Sequence, residues 1–168
     1  MVKPPSLGGK GSNVLSVRQF DEILSDVIKS EAGIKKCILT DRTGLTIAHV
    51  SKFSYFAVDI DGIGAIASAV FCASEEQGKN LDIGELVIVT SEFNDGKIFA
   101  AGAGKGVLCV ITDREVNLGM VRMVMKKAAG ELAKVLEEFL AEKPPVEEGK
   151  SEAEREELRA ALGQLEKG

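Results

Sequence analysis

Apolar residues along this chain follow two rhythms, a three-and-four spacing that marks helices and short dense runs that mark strands. The densest run is Val107-Leu108-Cys109-Val110-Ile111, bounded by Gly106 and by Thr112-Asp113-Arg114. It is too short for a typical helix, and its β-branched content suits a central strand with both faces covered. Behind it, Leu118, Val121, Met125, Ala128, Ala129, Leu132, Leu136 and Phe139 fall on one helical side. Asn117 is a suitable N-cap for that helix, and Pro144-Pro145 end any continuation.

The same reading orders the rest. Residues 1–13 mix prolines and glycines with few apolar positions and are expected to be a disordered leader. Ser16 and Gln19 have capping-box spacing, and Val17, Phe20, Ile23, Leu24, Val27 and Ile28 predict a helix over residues 16–31, closed by Gly33. Residues 34–40 and 45–50 read as an antiparallel pair joined by Asp41-Arg42-Thr43-Gly44. After an irregular stretch, Asp59 or Asp61 caps a second helix running to about residue 78. Leu86-Val87-Ile88-Val89 is a further strand, and the Asn94-Asp95-Gly96 turn returns the chain into a strand over residues 97–101. The expected fold class is α+β, an α/β sandwich with a five-stranded, mainly antiparallel sheet and helices on both faces. Its order is helix-strand-strand-helix-strand-strand-strand-helix over residues 14–142, with a linker and short C-terminal helix over residues 143–168.

The middle helix is unusual. On a helical wheel Ile63, Ile66, Ala67, Val70 and Ser74 form a core-facing side, while Ala65, Ser68, Ala69, Cys72 and Glu76 fall opposite. An ordinary surface helix would carry long charged residues there. Small residues let another backbone come close, so a second chain is expected against that side. At the C-terminus, Ser151 and Glu154 again have capping-box spacing, ahead of Leu158, Leu162 and Leu165 on one side of a short helix. That helix is either solvated and frayed or a segment that docks on a partner or on its own domain.

Composition narrows the chemistry. A net charge of −5 argues against a phosphate-binding surface, and with no Trp and one Tyr there is no aromatic platform for single strands. Nucleic acid is therefore not an expected partner. Cys37, Cys72 and Cys109 sit in apolar segments without a CxxC pair, which suits reduced thiols in a cytoplasmic protein. No apolar stretch approaches the ~20 residues of a membrane span. Gly102-Ala103-Gly104-Lys105-Gly106 superficially suggests a phosphate loop, but glycine follows the lysine and the loop joins two strands. His49 is the only histidine and is expected to be half-buried, and Glu75-Glu76, Glu137-Glu138 and Glu156-Glu157 point apart on helices. No catalytic, cofactor or metal residues are assigned.

The Asp41-Arg42-Thr43-Gly44 turn, the small-residue helix from Gly62 to Ser74, and Asn117-Leu118-Gly119 leading into Lys126-Lys127-Ala128-Ala129 resemble the roadblock family of dynein light-chain-like proteins, nearest its MglB-like branch. The resemblance implies a homodimer in which third strands, here residues 86–90, pair edge to edge while the two middle helices share one face. It also implies regulation of a small Ras-like GTPase, by activation or assisted exchange, without enzymatic chemistry of its own. MglB-like members rearrange their partner's catalytic groups and supply no arginine finger, and Arg42, Arg114 and Arg122 all suit surface roles. The expected dimer interface is Ala65, Ser68, Ala69, Cys72 and Glu76 with Leu86, Val87, Ile88 and Val89. Ala65, Ala69, Cys72, Leu158, Leu162 and Leu165 are the partner-binding candidates. The alternative is a scaffold dimer without effect on nucleotide turnover, and a small-ligand sensor is a third option.

Overall fold

A computed structural model describes residues 8–52, 58–142 and 152–165. The chain forms α1 (Gly8–Ser30), β1 (Ile34–Asp41), β2 (Thr46–Ser51), α2 (Ile60–Asn80) and β3 (Val89–Phe93). It continues through β4 (Gly96–Ala103), β5 (Gly106–Asp113), α3 (Leu118–Glu142) and α4 (Glu152–Leu165). The strands make one antiparallel sheet in the order β2-β1-β5-β4-β3, so the densest apolar run lies at its centre. This is the expected α+β order. Asn117 caps α3 as anticipated, its side-chain oxygen accepting from the Met120 amide at 3.0 Å. Asp59 does the same for α2, accepting from Gly62 at 2.9 Å.

The two faces of the sheet are covered unequally. α1 and α3 lie together on one face, where Phe20, Leu24, Met125, Leu132 and Leu136 pack on Leu39, Phe99, Leu108 and Val110. Phe20 meets Phe139 edge to face, with ring centroids 5.7 Å apart. Among the described residues the other face carries α2 alone, through Ala67 against Ile38 and Cys109, and Phe71 against Ala100 and Val107. Contact is close because Gly64 has no side chain: a Cβ there would stand 2.8 Å from Thr40 Cγ2.

Four expectations are corrected. α1 begins at Gly8, so Ser16 is a buried position inside the helix instead of its cap, and part of the expected leader is helical. Once residues further on are fixed against the sheet, each added residue brings one hydrogen bond without a new nucleus. β3 runs from Val89 to Phe93, not over residues 86–90. The tight turn pairs Phe93 with Gly96 and so fixes which residues enter the ladder, while Asp82 (φ 52°) and Gly84 (φ 94°) keep the upstream run irregular.

The wheel of α2 is rotated from its expected phase. Ile66 and Val70 are 67% and 42% exposed, whereas Ser68 is buried and Cys72 half-buried. Small residues face inward because the helix approaches its own sheet that closely. His49 is exposed, because a register shift between Leu39 and Thr40 disturbs the alternation along β2.

Two predictions follow from this packing. Gly64→Val should lower stability by about 1–3 kcal/mol in urea unfolding, since the added bulk meets a buried β-branched side chain. Gly130→Ala, on an open side of α3 with nothing within 4 Å, should raise stability by about 1 kcal/mol; equal effects at the two sites would contradict the close seating of α2. Burial, with a smaller contribution from Cys109, raises the Cys37 thiol, and burial pushes Cys109 up to about 12. Thiol labelling near pH ~8 should therefore modify about one cysteine per native chain, Cys72, and all of them only after unfolding. Early labelling of Cys37 would contradict this.

Candidate interaction surface

α2 is fixed to the domain by the turn between β1 and β2. Asp41 Oδ1 accepts from the Thr43 amide (2.9 Å), the Thr43 hydroxyl (2.6 Å) and the Leu45 amide (3.0 Å), which sets the turn. Burial acts to raise the Asp41 carboxyl, but hydrogen bonds from the Thr43 hydroxyl and the amides of Leu45, Thr43 and Gly44 hold it below the ordinary carboxylate value. The turn then presents its carbonyls to the helix. Ser68 Oγ donates to the carbonyls of Asp41 and Arg42, each at 3.2 Å. Arg42 reaches further, donating to Glu75 at 2.6 Å and to the Gly104 carbonyl at 3.3 Å, with its guanidinium 5.8 Å from the Phe71 ring centroid. One side chain thus ties the first hairpin, α2 and the β4–β5 turn together.

With its inner side committed, α2 turns Ala65, Ile66, Ala69 and Val70 outward. Beside them lies β3, an edge strand paired only to β4. Between the two runs a groove of about 230 Å³, lined by Ile63, Ile66, Val70, Val89, Phe93 and Ile98 among others. Phe93 is 59% exposed at its rim. The groove offers hydrophobic contact and the strand beside it offers backbone hydrogen bonds, a combination that suits a second polypeptide.

The expected site residues divide between this surface and other places. Ala65 and Ala69 are exposed on it, and Val89 lines the groove. Ser68 and Cys72 are not available there, since both face the Arg42 carbonyl of their own chain. Glu76 is exposed and lies 3.8 Å from Lys79. Leu86 packs beside Phe71, Ile88 packs toward the α1/α3 core, and Val87 is exposed ahead of β3. Leu162 is exposed on α4, while the side chains of Leu158 and Leu165 lie outside the described residues. Ile66, Val70 and Phe93 bring large exposed apolar side chains to this surface, although the wheel places Ile66 and Val70 on the core-facing side and the apolar run stops short of Phe93. The signal for Phe93 is its place next to the Asn94-Asp95-Gly96 turn, which fixes its parity in the strand.

Enzymatic features are sparse among the described residues. No group of three or more His, Cys, Asp or Glu is placed to hold a metal ion. Gly102 to Gly106 forms the β4–β5 turn, with Gly104 at φ 62°. Arg114 pairs with the adjacent Glu115, and Arg122 lies on α3 away from α2. No described helix is long and apolar enough to cross a membrane.

Comparison with known proteins agrees with this architecture. A model of the Roadblock/LC7 domain matches residues 20–112, from α1 to β5. The chain is 38% identical over 113 residues to MJ0310, an uncharacterised protein of Methanocaldococcus jannaschii, a match covering 67% of this chain and 96% of that protein. Among solved structures, MglB with a tetrameric arrangement has a TM-score of 0.68 at 21% identity, covering 82% of this chain and 99% of its own. Myxococcus xanthus MglB has a TM-score of 0.64 at 24% identity, covering 71% and 96%. A domain match over more than half the chain, and a relative matched almost end to end, place it: the chain belongs to the Roadblock/LC7 family.

Proposed function

We propose that this protein is a homodimeric, non-enzymatic regulator of a small Ras-like GTPase, joined through β3 and the outer side of α2. The observation that carries the reading is the juxtaposition of an unpaired strand edge with the groove beneath Ile66, Val70 and Phe93. A two-fold axis beside β3 would let two edges pair and bring the two α2 helices together, each covering the other's groove. Family membership and the MglB-like fold support this arrangement, and the tetrameric arrangement of one MglB supports self-association.

In such a dimer Ile66 and Val70 meet the second copy, and Ala65 and Ala69, about a quarter turn away around α2, permit close approach by a GTPase. Arg42 is engaged by Glu75 and the Gly104 carbonyl, which argues against its use as an arginine finger. The regulator would therefore act by repositioning the GTPase's own catalytic groups. The three free thiols suit a cytoplasmic setting.

Light scattering at micromolar concentration should give twice the chain mass. Ile66→Asp and Phe93→Asp should each weaken association by roughly a hundredfold or more, because a charge is placed in an apolar contact. A wild-type protein of single-chain mass would contradict the dimer. With a small Ras-like GTPase from the same organism, the protein should change the hydrolysis or exchange rate by about tenfold or more. Binding in both nucleotide states without a rate change would favour the scaffold reading, and no binding to any such GTPase would end both.

A further inference from the structure

The α1/α3 face is left open on one flank. α1 lies over β2 and β1, and α3 over β5 and β4, while neither packs on β3. Between α3 and the segment ahead of β3 runs a groove of about 670 Å³. Met123, Ala129 and Ala133 of α3 line one wall, Val87 the other, and Ala101 and Gly102 the floor. Met123 is 62% exposed and Val87 74% exposed, so the groove presents apolar surface to solvent. The small side chain of Ala101 in its floor leaves room for a helix to approach the sheet closely.

We infer that this groove seats the chain's own C-terminal helix, α4. The length of chain past α3 fits. Residues 143–151 separate Glu142 from Glu152, and nine residues can span up to about 30 Å. The Ala133 end of the groove lies only about 14 Å back along α3 from Glu142. A helix of 14 residues is about 21 Å long, against about 17 Å for the stretch of α3 from Arg122 to Ala133. The structure itself places α4 in contact with no other described element, so the seat requires α4 to turn back and run antiparallel to α3, as a third helix on that face.

Side chains fit as well. In the sequence of α4, Leu158, Leu162 and Leu165 recur at helical spacing, and Leu162 is 56% exposed. A helix this short is marginal in isolation and gains stability by burying such a stripe. α4 has four glutamates and two arginines, whereas the groove is bordered by Arg122 and Lys126 against a single glutamate, Glu85. The attraction thus has the right sign. This seat lies on the opposite face of the sheet from α2.

The test is hydrogen exchange of the amides of residues 152–165 in the full-length protein, in the wild type and in two variants at exposed positions, Leu162→Asp on α4 and Met123→Asp on α3. Exchange in the wild type should be at least about tenfold slower than in an unstructured peptide, unchanged on hundredfold dilution, and returned to the fast rate by either variant. Fast exchange in the wild type would overturn the proposal. Protection lost on dilution would assign α4 to a second copy and overturn it too. Release by Leu162→Asp but not by Met123→Asp would mean that α4 docks elsewhere.

Discussion

The close seating of α2 on the sheet governs much of this structure. Gly64 leaves no room for a side chain above Thr40, and Ser68 spends its hydroxyl on the turn between β1 and β2. Arg42 then bridges that turn to Glu75 and to the β4–β5 turn. α2 crosses all five strands, most sparsely at β3, and a single helix leaves much of the sheet area beside it uncovered. The sheet beneath β3 and β4 is therefore only partly covered, and Ile66 and Val70 look outward beside it. The apolar groove is thus a consequence of how α2 is anchored.

The opposite face follows other rules. There Phe20, Leu24, Leu132 and Leu136 fill a conventional core between two helices and the sheet, at a depth set by large side chains. That half holds most of the buried apolar residues and so contributes most of the hydrophobic stabilisation. The α2 half has less apolar volume and more hydrogen bonds from side chain to backbone. A densely filled half and a sparsely covered half together suit a protein that presents a surface.

Much of this was legible in the residues. The run from Val107 to Ile111, the stripe of α3 and the caps at Asn117 and Asp59 each combine a local preference with a matching tertiary environment, and all lie where expected. The phase of α2 was not legible, because small residues admit two readings: close approach to a second chain or to the helix's own sheet. Only the positions of Thr40 and the Arg42 carbonyl decide between them. The limits of β3 were obscured for a related reason. Ser91 and Glu92 lie past the expected strand, yet the tight turn beside them dictates their pairing with Ile98 and Lys97, and the more apolar residues 86–88 remain outside the ladder. Hence Ala65 and Ala69 were legible as exposed positions of the surface, but Ile66 and Phe93 were not.

All of this leaves the open edge of β3 as the place where the account is most exposed to test. Among the described residues, amides of β3 that point away from β4 have no strand partner, and a second copy paired with that edge would supply one. Residue-resolved hydrogen exchange across residues 89–93 measures this directly. The account predicts that every amide of the strand is protected at micromolar concentration, and that the outward ones lose protection as the protein is diluted. Outward amides that exchange at the rate of an exposed loop, whatever the concentration, would contradict it.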